Sequence, residues 1–127
     1  MTVELNHTIV WVKDKRASAQ YLADVLGLEV GPPWGPFVPI RLSNGVTLDF
    51  AESDNARPQH YAFLVSDAEF DAGLARLKQK GVTIHANHDG SGAGEINRLY
   101  GGRGFYFADP NGHFMELITK PYGAAPE

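Results

Sequence analysis

Two histidines and two carboxylates stand at matched places in the two halves of the chain. His7 lies in the alternating run LNHTIVWV and His60 in QHYAFLVS, and Asp49 and Glu116 each follow the asparagine of an Asn-Gly pair by five residues. Neutral imidazoles and a carboxylate converging from separate strands form one face of an octahedron around a divalent first-row metal, leaving positions for water or substrate. His7, His60 and Glu116 supply such a set, with Asp49 as a fourth ligand or as a general base. A single histidine on an apolar strand face is ordinarily a hydrogen-bonded core residue; here, repetition in equivalent settings favours a metal site. His113, three residues before Glu116, faces the other side of a strand and is expected to cap a hairpin. His85 and His88 fall in loop sequence with nothing to fix them.

The repeat extends to the elements that must carry these residues. Seven residues after each histidine an aspartate, Asp14 or Asp67, opens a stretch of helical period that a glycine, Gly27 or Gly81, closes. Ser66 and Glu69 have the spacing of a capping box. Short strands are expected at 28–30, 38–42 and 46–51 in the first half, with a two-residue hairpin at Asn44-Gly45. The second half adds strands at 82–85, 105–108 and 114–119. The proline-rich GPPWGPFVP must be irregular, and the glycine-rich loop 86–104 is long enough to suggest a pocket cover.

The chain therefore reads as one α+β domain over residues 1–127, built from tandem βαβββ modules at 3–52 and 59–120 and joined by the polar ESDNARP. The expected sheet is curved and mostly antiparallel, with helices on its convex face and an open concave cavity. Positions such as Val10, Leu48, Phe63 and Leu117 should face the helices, which turns the four polar groups to the cavity.

Composition narrows the function classes. With 127 residues, 43% of them hydrophobic and 20% charged, the chain has the makeup of an ordinary globular protein, with disorder expected only at the ends, chiefly GAAPE. A formal net charge of -4 argues against nucleic-acid or anionic-membrane partners. No run has the length of a membrane span, and MTVELNHTIV lacks the pattern of a secretory leader. Having no cysteine, the chain must hold any metal by nitrogen and oxygen, and a cytoplasmic location is the default expectation.

LNHTIVWV, HYAFLV and above all RGFYFADPNGHFMEL resemble the vicinal oxygen chelate superfamily, which includes glyoxalase I, extradiol dioxygenases, fosfomycin-inactivating thiol transferases and bleomycin-binding resistance proteins. The likeness runs from about Leu5 to Thr119. It implies His7, His60 and Glu116 as metal ligands, an open sheet cavity and a homodimer. Asp49 stands where glyoxalase I has a glutamate, one methylene longer, which argues against isomerase activity. Phe105, Tyr106, Asp109, Pro110, Gly112 and Glu116 fit the C-terminal pattern of extradiol dioxygenases, whereas Asn97, Arg98 and Leu99 occupy the places where a catalytic histidine is expected.

These readings converge on a metal-dependent enzyme of the glyoxalase or dioxygenase type. Its substrate would be a small molecule with two adjacent oxygens, chelated so that a developing enolate or catecholate is stabilised. The metal would be iron, manganese, nickel, cobalt or zinc. Asp49 is the candidate base, Trp11 and Trp34 are candidate pocket walls, and Tyr100 and Arg103 are candidates to orient an anionic substrate. The main rival is a resistance-type protein that sequesters a natural product without turnover, using Trp11, Trp34, Phe37 and Tyr100 as stacking surfaces. A structural or partner-binding module is the third reading.

Overall fold

The computed structural model describes residues 2–123; the expected disordered tail, apart from Gly123, lies outside them. The chain divides into two compact units, Met1–Arg57 and Pro58–Glu127, with the boundary inside the polar linker.

In the first unit, β1 (His7–Val12) leads into α1 (Lys15–Leu26), followed by β2 (Val38–Arg41) and β3 (Thr47–Glu52). The second unit repeats this as β4 (His60–Leu64), α2 (Asp67–Gln79), β5 (Gly104–Ala108) and β6 (Phe114–Ile118). The sheet orders are β1-β3-β2 and β4-β6-β5, so the last strand of each unit is central. Pairing is mixed rather than mostly antiparallel: β1 runs parallel to β3 and β4 to β6, while β2 and β5 run antiparallel to those central strands. The first strand reaches the central one through a helix and then an antiparallel strand, and this long crossover is what permits the parallel pair.

The strands expected at 28–30 and 82–85 shrink to isolated bridges, Val30 with Ile40, and His85 with both Ala93 and Tyr106. Gly31, Pro32 and Pro33 end the first at once, because proline has no N–H to give to a ladder. The helices start and stop where the sequence signals them. The Asp14 carboxylate accepts the Ala17 N–H at 3.0 Å, and Ser66 Oγ accepts the Glu69 N–H at 3.2 Å.

Both Asn-Gly turns are three-residue loops, not the two-residue hairpin expected at Asn44-Gly45. Leu42 N–H donates to Val46 O at 2.8 Å and Gly45 N–H to Leu42 O at 3.0 Å; the equivalent bonds join Asp109 to His113 and Gly112 to Asp109 at 3.0 and 3.1 Å. Gly45 (φ 88°) and Gly112 (φ 83°) take the left-handed conformation that closes such a loop. Having the same turn in both units sets the same strand register.

Alternation then separates two faces in each sheet. One carries Val10, Val12, Val38, Ile40, Leu48 and Phe50, all buried, with Leu22, Ala23 and Val25 of α1 completing that core. Its counterpart in the second unit carries Phe63, Phe105, Phe107, Met115 and Leu117, with Phe70 and Leu77 of α2; the Phe70 and Phe105 rings meet edge-on at 5.0 Å. Val10, Leu48, Phe63 and Leu117 thus occupy the buried face assigned to them. No helix among the described residues is long and apolar enough to cross a membrane.

Candidate functional site

The opposite faces carry the chemistry, in matching register. His7 pairs across β1 and β3 with Thr47, and Asp49 pairs with Ile9, two residues along each strand. His60 pairs with Phe114, and Glu116 with Ala62, two residues along β4 and β6. Each histidine is therefore a diagonal neighbour of its unit's carboxylate, on the same face.

In the second unit the two meet. His60 Nε2 lies 3.0 Å from Glu116 Oε1, with Glu116 buried and His60 half-exposed. His60 Nδ1 lies 3.0 Å from the Phe114 carbonyl oxygen. A carbonyl can only accept, so Nδ1 carries the proton and in the neutral ring Nε2 presents a lone pair to a carboxylate. Two acceptors at that separation call for a cation between them, either a proton or a metal ion. Two ligands bonded at about 2.1 Å and at right angles lie about 3.0 Å apart, so the pair fits adjacent positions around a divalent metal. The Nδ1 bond is the outer contact that typically orients a metal-ligating imidazole.

Two tyrosines complete the surroundings of Glu116. The Tyr122 hydroxyl donates to Glu116 Oε2, and Tyr106, the cross-strand partner of Glu116, lines the same cavity. Burial, followed by the neighbouring Glu116 charge, raises the pKa of both phenols, so they stay protonated. A cavity of about 380 Å³ opens here, lined by His60, His88, Tyr106, Phe114, Glu116 and Tyr122.

The first unit arranges its pair differently. His7 is exposed, and its Nδ1 lies 2.7 Å from Asn6 Oδ1. Asp49 is buried in the central strand, and its Oδ1 has no hydrogen-bond partner. Among the described residues, no group of three or more His, Cys, Asp or Glu side chains is placed to hold a metal ion.

Of the other candidates, Trp11 and Trp34 belong to the first unit, both about half exposed, and Trp34 packs on Phe37 with ring centroids 4.8 Å apart. Tyr100 stacks on Tyr122 at 4.9 Å. Arg103 turns to α2 instead of the cavity: it bonds Asp67 at 2.9 Å and Asp71 at 2.8 Å, with its guanidinium 4.3 Å over the Phe70 ring. His113 braces the site from the hairpin, its buried Nδ1 accepting the Gln59 N–H at 2.9 Å beside His60.

The sequence alone assigns no site role to Tyr122 or His88, and gives Tyr106 only a place in the family pattern. Tyr106 was within reach of it, because counting back from the turn at Asp109 puts Tyr106 opposite Glu116. Tyr122 follows the last strand and belongs to no repeat. His88 lies in a glycine-rich loop that fixes no direction for it.

The family pattern of the Glyoxalase/Bleomycin resistance protein/Dioxygenase superfamily matches residues 4–117. The chain belongs to that superfamily. Within it, the chain is similar to the solved structure of Oxidase ChaP-H2, with 54% identity, a TM-score of 0.95, and coverage of 99% of this chain and 100% of that one. Oxidase ChaP-H1 shows 49% identity and a TM-score of 0.94 over 97% of this chain and 100% of its own. Glutathione transferase FosA of Serratia marcescens is 32% identical over 124 residues, covering 92% of this chain and 81% of FosA. The superfamily resemblance and the paired βαβββ fold are thereby confirmed, and enzymatic relatives predominate among these likenesses.

Proposed function

We propose that this chain is a metal-dependent oxidase of the glyoxalase/dioxygenase superfamily, acting on a small molecule that offers two adjacent oxygens. The observation that carries this reading is the His60–Glu116 pair, with Nε2 3.0 Å from a carboxylate oxygen and Nδ1 held by the Phe114 carbonyl. His60 and Glu116 would hold the metal, with His7 as third ligand, and the protein would act as a homodimer. When bound, the metal would act as a Lewis acid on the chelated oxygens. The chain's own residues do the rest. Tyr106 and Tyr122 keep Glu116 in place, Phe114 and the tyrosine rings offer apolar walls to a flat substrate, and Asp49 is proposed as the base. Oxidation is favoured over thiol transfer because the likeness to ChaP-H2, at 54% identity, is stronger than that to FosA, at 32%.

The test is elemental analysis of protein purified without chelator or affinity-tag metal, combined with oxygen uptake on a panel of catechols and other compounds with adjacent oxygens. One metal per chain, with loss of both metal and oxygen uptake in His60→Ala and Glu116→Ala, is expected. Tight ligand binding without turnover and indifferent to chelator would instead favour sequestration.

A further inference from the structure

We infer that Tyr122 is a positioning residue that restricts Glu116 to one-oxygen metal binding. The inference rests on the metal-binding reading above. A carboxylate can bind a metal through one oxygen or both, and the choice decides how many positions remain for substrate. The two oxygens of Glu116 have different partners: Oε1 faces His60 Nε2 at 3.0 Å and Oε2 accepts the Tyr122 hydroxyl. With Oε2 held, only Oε1 would be free to bind a metal, which would leave more of its coordination positions for a chelating substrate.

The chain around Tyr122 keeps that hydroxyl in place. Its ring lies on Tyr100 at 4.9 Å, tilted by 38°. Tyr100 takes a left-handed backbone conformation, φ 55°, alone among the described non-glycine residues. That conformation is unfavourable for a residue with a side chain, and Gly101, also left-handed at φ 76°, continues the turn. Nearby, Gly102 passes so close to the strand end before Tyr122 that an added Cβ would sit 2.8 Å from Thr119 Oγ1 and 2.7 Å from Lys120 Cγ. The turn and the segment after β6 are thus fitted together, and Tyr122 projects from that junction onto Glu116. Tyr106, opposite Glu116 across the strands, lines the cavity beside them.

The experiment compares wild type and Tyr122→Phe in full-length protein loaded with Co(II), whose visible spectrum reports coordination number. Phenylalanine keeps the ring on Tyr100 and removes only the hydroxyl. Tyr122→Phe is expected to weaken Co(II) binding about tenfold or more and to change the spectrum as Oε2 joins the coordination sphere, while the metal-free variant still unfolds in one cooperative transition, somewhat below wild type because Oε2 has lost its donor. An unchanged spectrum overturns the inference, whether affinity is retained or lost, because loss of packing alone would weaken binding without altering the ligand set. Wild type that takes up no Co(II) overturns the metal-binding reading and this inference with it; wild type that binds normally beside an unaltered variant overturns only the role of Tyr122.

Discussion

Asp49 and Glu116 occupy equivalent places on the two central strands and are both buried, yet they are satisfied differently. Glu116 has His60 and Tyr122; Asp49 Oδ1 has no hydrogen-bond partner. A buried acceptor without a partner costs about 1–3 kcal/mol of stability. Retaining one is reasonable where the group is needed for chemistry and the fold tolerates the cost. Asp49→Leu, which substitutes an apolar side chain of similar shape, is therefore expected to raise the melting temperature by several degrees, read by calorimetry, and to abolish turnover while leaving the Co(II) site intact. A less stable Asp49→Leu would show that the carboxylate is satisfied in solution and would remove the argument for a reserved base.

At the scale of elements, most of the architecture was legible because it rests on short-range signals. Asp14, Ser66, Gly27 and Gly81 mark helix ends by local hydrogen bonding and backbone freedom, and they mark the same ends in the structure. Period-two alternation assigned Val10, Leu48, Phe63 and Leu117 to the buried face. Alternation does not name a strand's neighbour, which is why the parallel pairings were missed, and it fails where a run is only three or four residues long, as at 28–30 and 82–85. Within the site, the repeat singled out His60 and Glu116, while Tyr122 was hidden because its partner is remote from any periodic pattern. Arg103 shows the same limit: a cation near a loop end suggested a substrate anchor, whereas the structure ties it to α2. Its partners Asp67 and Asp71 are 77% and 66% exposed, so the ion pairs are weak and screened, and stacking over Phe70 supplies much of the contact. Arg103→Ala is expected to cost about 1–2 kcal/mol in denaturant unfolding, part of it lost at high salt in wild type too, without changing metal affinity. A metal-binding defect in that variant would return Arg103 to the site.

For the molecule as a whole, the question is where His7, the proposed third ligand, would join the site. β1 lies at an edge of its sheet, and it carries His7 and Trp11 exposed, preceded by exposed Leu5 and Val3. An apolar edge strand of this kind is a surface that proteins normally cover, and the proposed homodimer would cover it with a second copy. A ligand on that strand would then serve the other copy's His60 and Glu116. Mixing inactive His7→Ala and His60→Ala proteins tests this directly. Random exchange makes half of the dimers mixed, and each mixed dimer holds one site with both histidines intact, so about a quarter of wild-type metal content and turnover should return. The measurement is metal content and oxygen uptake before and after subunit exchange, with exchange itself confirmed by differently sized tags. No recovery in a fully exchanged sample would place His7 with His60 of its own chain, because each variant chain would then lack a ligand in its only site whatever its partner.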